Sequence, residues 1–129
     1  MPSFSLSPTD TIALVFTGCA KKEAKAGSAA FHIGIVTGTV SQSEDDLRGA
    51  EQLINEYGTV QNGGMIQHVT YPDNFTSEQE TTISLIVGLA DDPLMKAVVV
   101  NQAVPGTTEA FRRIREKRSD ILLFAGEPH

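Results

Sequence analysis

The sequence contains no tryptophan and a single cysteine, Cys19, among 129 residues. One thiol cannot build an internal disulfide framework, and it is too few for a structural zinc site made of thiolates. Aromatic residues make up only 6% of the chain. No apolar run approaches the roughly 20 residues that a membrane-spanning helix needs. Positive charge is also scarce, with 10 Lys and Arg against 16 Asp and Glu and a formal net charge of -6. Nucleic-acid binding needs a basic footprint to displace counterions, so no nucleic-acid partner is expected. The cations gather in Lys21-Lys22-Lys25, which reads as a tether, and in Arg112-Arg113-Arg115-Lys117-Arg118, which reads as the wet face of a helix.

The chain is long enough for one ordinary domain with a core of its own, and its hydrophobic content of 40% is that of a soluble α/β domain. Alternation of element types sets the fold class. Phe31-His32-Ile33-Gly34-Ile35-Val36 is a nearly continuous apolar run, as in a central parallel strand covered on both faces. Ser41 and Glu44 then suggest a capping box, followed by Leu47, Ala50, Leu53, Ile54 and Tyr57 at helical spacing, with Gly58 as the stop. The unit repeats with a strand over 65–71, and a helix opens near Thr76-Ser77-Glu78 and carries Ile83, Ile86, Val87 and Ala90 on one stripe. It recurs with a strand over 97–100 and a helix after Pro105-Gly106-Thr107 with Ala110, Phe111 and Ile114 inward. A fourth strand over 121–125 follows.

Strands alternating with helices of this length imply right-handed crossovers and a doubly wound, Rossmann-like parallel sheet in three layers, with strand order second, first, third, fourth. Strand four would then be a hydrophobic edge with little cover, which suggests a chain cut short after His129.

Ligands of such sheets bind outside the carboxyl ends of the strands, where the winding reverses. That rule points at Thr37, Gly38, Thr39 and Ser41 after the first strand, and at Asn101 and Gln102 after the third. A strand-to-helix turn of hydroxyls and backbone amides suits anions or hydroxyl-rich ligands, and an ordinary capped turn is the alternative. An uncharged amide pair can both donate to and accept from a polar ligand. Tyr71, in Tyr71-Pro72-Asp73-Asn74-Phe75, leaves strand two at the same edge and is a candidate aromatic wall or a packing residue. Thr37-Gly38-Thr39 partly resembles a flavodoxin phosphate loop, although Val40 stands where that loop wants a hydroxyl. No dinucleotide fingerprint or phosphate-binding lysine loop is present, and no cofactor is expected. His32, His68 and His129 form no convincing metal or acid–base set, and no nucleophilic triad is spaced along the chain, so no catalytic or metal-binding residues are assigned. Glu44-Asp45-Asp46 reads as acid complementing a helix dipole.

Cys19 has three readings: lipid-modified, buried or free. Gly18 and Ala20 are small, Leu14-Val15-Phe16 precede it and a polar tether follows, which favours lipid attachment. Residues 1–10 nevertheless lack the Lys or Arg that opens a secretory segment. Residues 1–30 are therefore taken as leader and tether, and 31–129 as the α/β lobe.

With Cys19, the Lys/Ala tether, and segments 31–38, 97–102 and 121–127 in this order, the chain resembles the N-terminal lobe of a type I periplasmic binding protein. More narrowly, Phe31-His32-Ile33-Gly34-Ile35-Val36-Thr37-Gly38 followed by Asp45-Asp46-Leu47-Arg48-Gly49-Ala50 is similar to a domain-of-unknown-function family of bacterial lipoproteins with that fold. The resemblance implies a non-enzymatic, lipid-anchored receptor on the outer face of the cell membrane, which closes on a small polar solute and presents it to a transporter or sensor. It adds Thr107 and Glu127 to the candidate ligand residues. The alternatives are a flavodoxin-like enzyme domain that binds a phosphate, and a regulatory or structural α/β domain without a small ligand.

Overall fold

The computed structural model describes residues 28–127. Cys19, almost all of the expected leader and tether, and His129 lie outside the described residues.

Three repeats of strand and connecting helix and a fourth strand follow one another: β1 (His32–Thr37), α1 (Val40–Tyr57), β2 (Ile66–Thr70), α2 (Gln79–Leu89), β3 (Met95–Val100), α3 (Thr107–Lys117) and β4 (Leu122–Ala125), with a 3-10 turn at Val60–Asn62 before β2. The strands form one four-stranded sheet in the order β2-β1-β3-β4. Every pairing is parallel. The expected winding is therefore the observed one, a doubly wound α/β sheet of Rossmann-like form. The chain steps one way from β1 to β2 and the other way thereafter. Right-handed crossovers consequently place α1 on one face and α2 and α3 on the other.

The face under α2 and α3 carries the main core. Val36, Met95, Val98 and Val100 from the strands meet Ile83, Ile86 and Leu89 of α2 and Ala110 and Ile114 of α3. Gly34 permits the closest contact there, because a Cβ on it would lie 2.9 Å from Leu89 Cδ1. Phe111, expected inward, is partly buried and packs against this cluster.

The opposite face has a smaller core of Ile35, Ala50 and Ile66, flanked by Ile33, Ile54 and Met65. Residues paired across parallel strands share a face. Ile33 pairs with Ala97 and Ala97 with Leu122, while Ile35 pairs with Val99 and Val99 with Phe124. This face thus continues across β3 and β4, beyond the cover of α1. Leu122 is 61% and Phe124 52% exposed there, as the edge argument from sequence anticipated.

Two local expectations are corrected. The capping box at Ser41 and Glu44 does not form: α1 starts at Val40, Thr39 makes no side-chain cap bond, and Ser43 adopts extended backbone at φ -160 and ψ 90. The N–H groups of Gln42 and Ser43 both donate to the Thr39 carbonyl, which closes a first turn that leaves Ser41 on the wrong side of the break. Phe31 lies outside β1 and is 40% exposed.

Candidate functional site

The carboxyl ends of β1, β2 and β3 bring most of the sequence candidates together. Thr37 ends β1 with only 1% exposure. Its hydroxyl donates to the Gly38 carbonyl at 2.9 Å and contacts His68 Nε2 at 2.8 Å. With its one proton given to that carbonyl, the hydroxyl accepts from His68, which assigns the proton of the neutral imidazole to Nε2. Burial lowers the His68 pKa from its ordinary 6.5, and the nearby Glu51 charge opposes that shift.

Gly38 is required by what crowds it. A Cβ there would stand 2.7 Å from Gln42 Cβ and 2.9 Å from Tyr71 Oη. The Tyr71 ring is a packing residue, 1% exposed. It stands edge-on to Phe75, with centroids 5.4 Å apart and planes at 82°. It is not an aromatic wall open to a ligand. Its hydroxyl still reaches the edge, donating to Gln102 Oε1 at 3.2 Å and so joining the exit of β2 to that of β3. Burial raises the Tyr71 pKa above 10.0, and the negative charge of Asp46 adds to the shift.

Beyond Gly38 lies an exposed hydroxyl–carboxylate cluster. The Thr39 hydroxyl donates to Asp73 Oδ1, and the Ser41 hydroxyl lies 3.0 Å from that of Thr39. Gln42 Nε2 donates to the Asp73 carbonyl at 2.9 Å. Hydrogen bonds from Thr39 and then Ser41 hold the Asp73 carboxyl below its usual range, against a smaller opposing effect of desolvation.

The other candidates separate. Asn101 lines a different space from Gln102: a groove of about 610 Å3 between α1 and the sheet, shared with Thr37, Asp45 and Asp46 at this end and with Ile33, Leu53 and Tyr57 farther along. Thr107 is 3% exposed, and its hydroxyl is committed to the Val104 carbonyl at 2.7 Å. Glu127 is exposed beyond β4, at a positive φ of 40. Gln42, Asp45, Asp46 and Asp73 were not singled out from sequence as binding residues. Asp73 was the accessible one, since the strand rule that selected Tyr71 applies equally two residues on.

The edge therefore offers hydroxyls, amides and carboxylates. Its loops, residues 37–42, 71–78, 101–107 and 126–127, contain no Lys or Arg. Among the described residues, no group of His, Cys, Asp and Glu side chains is arranged to hold a metal ion. No helix among them is long and apolar enough to cross a membrane.

With this geometry in view, four similarities bear on the chain. A protein from Treponema pallidum (strain Nichols), described as an uncharacterized protein, is 50% identical over 101 residues, covering 77% of this chain and 46% of the relative. A second uncharacterized protein of that strain is 58% identical over 43 residues, 33% of this chain and 20% of the relative. The chain thus spans less than half the length of the curated relatives it matches. Among solved structures, a "Putative transcriptional regulator from Clostridium difficile 630" superposes with a TM-score of 0.64 at 29% identity, over 74% of this chain and 28% of that one. Residues 31–129 match the family model described as "Protein of unknown function (DUF3798)", and the chain belongs to that family.

Proposed function

We propose that this chain is a non-enzymatic binding lobe that takes a small polar solute at the carboxyl edge of its sheet, between β1 and β3. One observation carries the reading. Thr39 and Ser41 after β1 and Asp73 after β2 form an exposed polar cluster, beside the Tyr71–Gln102 bridge that reaches across the reversal of winding to β3. Such a cluster suits a ligand rich in hydroxyl or amine donors, because it presents hydroxyl acceptor oxygens and an exposed carboxylate. A phosphate ligand is less well served. The Gln42 and Ser43 N–H groups at the start of α1 are already engaged by Thr39, and Asp73 would face the phosphate with like charge.

In the whole protein, this lobe would belong to a receptor of the type I periplasmic binding kind, lipid-anchored through Cys19 and working with a transporter or sensor. The small residues around Cys19 and the polar tether behind it support the anchoring. The C. difficile neighbour favours a second reading, in which the same lobe senses a solute for a regulator.

Thermal shift with nucleosides, sugars, polyols, amines and flavin mononucleotide tests the proposal. A solute of the first four kinds should raise Tm in the full chain, and Asp73→Asn or Thr39→Val should remove that rise. A rise with flavin mononucleotide alone overturns the proposal in favour of a phosphate-binding enzyme domain.

A further inference from the structure

We infer that the groove between α1 and the half of the sheet that no other described element covers is the seat of an amphipathic α-helix, basic at the end beside Asp45 and Asp46, from sequence that the longer relatives carry outside the shared stretch. The dimensions fit a helix. Along α1 the groove runs from Asp45 to Tyr57, a length of about 18 Å at ~1.5 Å per residue, or about three turns. Its floor reaches β3 at Val99, strand pairing carries the same face on to Leu122 and Phe124 of β4, and two strands about 4.8 Å apart present roughly 10 Å of width. A helix with its side chains is about 10 Å across.

The chemistry of the walls fits as well. Leu53 and Tyr57 on α1 are 40% and 46% exposed and face the groove, and Leu122 and Phe124 stand exposed on the far side. Gly49 sits in the α1 wall, and a Cβ built on it meets nothing within 4 Å, so a neighbouring helix has room to approach. The charged side chains lining the groove are both acidic, Asp45 and Asp46, at its carboxyl end. A cationic helix end there would be attracted.

The longer relatives have the length to supply the occupant. The shared stretch is only 46% of one T. pallidum relative and 28% of the C. difficile chain. A second copy of this chain fits less well, because two-fold pairing sets one concave, acid-rimmed groove against another.

Synthetic peptides tiling the 50% identical T. pallidum relative outside the matched stretch provide the test, added to the full chain. One peptide, with Lys or Arg at one end of an apolar helical stripe, should bind and gain helicity by circular dichroism. Hydrogen exchange should slow at 45–57 and 122–124. Gly49→Leu and Phe124→Lys should each weaken binding at least about tenfold while Tm without peptide does not fall appreciably below that of the parent, and Asp45→Asn with Asp46→Asn should flatten the salt dependence. The inference is overturned if no peptide binds, or if binding survives these variants. It is equally overturned if the chain forms a dimer that Phe124→Lys abolishes, or if removing residues 1–27 speeds exchange at 122–124, because the occupant is then a second copy or the chain's own leading segment.

Discussion

An ideal Cβ on Gly64 falls 2.3 Å from the Gly58 carbonyl carbon, backbone against backbone, in the turn that delivers the chain from α1 to β2. Neither side can yield without moving β2, so Gly64→Ala should destabilise the fold by about 3 kcal/mol. Gly49 is the opposite case, an interior helical glycine with open space where its side chain would be. Gly49→Ala should therefore stabilise by about 0.5–1 kcal/mol, and urea unfolding of the two variants tests both signs. His68 adds a pH dependence. Its pKa in the folded chain lies below the ordinary 6.5, because burial disfavours the imidazolium. The unfolded chain then binds the proton more readily. The stabilisation is complete above 6.5 and is lost as pH falls through the folded value. Stability followed by urea titration should drop as pH falls below about 6.5. In His68→Gln, whose amide can still donate to Thr37, that part of the slope should flatten.

Among the secondary-structure elements, Arg118 shows how a side chain outside any helix can hold two of them. Its guanidinium donates to the carbonyls of Ala90, Asp92 and Met95 at 3.0 Å each, which joins the end of α2 to the start of β3. A fork to Asp120 at 2.9 Å fixes its orientation. Lysine cannot span this set, because its single nitrogen has no planar fork. Arg118→Lys should lower Tm by several degrees, almost as far as Arg118→Met, with faster exchange at the Met95 amide. Arg112→Met, which removes only exposed pairs with Glu109 and Glu116, should leave Tm nearly unchanged. The sequence reading treated the whole basic run as a wet helix face, which describes Arg112 and fails for Arg118. Nothing in a run of charges tells which cation lies just past the helix end, where the chain turns back on its neighbour. The elements themselves were legible because Ala97-Val98-Val99-Val100 and the stripe of Ile83, Ile86 and Val87 carry a periodicity that burial imposes. The break at Ser43 was not legible, because the Thr39 carbonyl that closes the preceding turn is backbone, common to every residue type. The switch-point rule located Thr39, Ser41 and Gln102 by topology alone, yet it could not separate Gln102, bonded to Tyr71, from Asn101, which faces the groove on the other side.

For the molecule as a whole, the asymmetry of its two faces follows from a single change in winding direction. Among the described residues, two crossovers run one way and place α2 and α3 over a shared core, while only α1 runs the other way and covers β1 and β2. The uncovered apolar area is therefore set by topology, and a surface of this kind attracts whatever apolar group is available. The fluorescent probe 1-anilinonaphthalene-8-sulfonate should bind the folded chain there. Its sulfonate disfavours the Asp45 end, so the probe should lie toward Leu122 and Phe124. These side chains are more than half exposed, at 61% and 52%, and replacing both with Gln removes little folded-state contact. The variant should unfold within about 0.5 kcal/mol of the parent. Its bound fluorescence should fall to a minor fraction, while far-ultraviolet circular dichroism stays the same. Fluorescence that persists in the folded variant would place the accessible apolar surface elsewhere. Loss of fluorescence together with unchanged stability would identify Leu122 and Phe124 as apolar side chains on this face that contribute almost nothing to the fold of the described residues. Such side chains are free to contribute to association, because their burial against a partner is still to be gained.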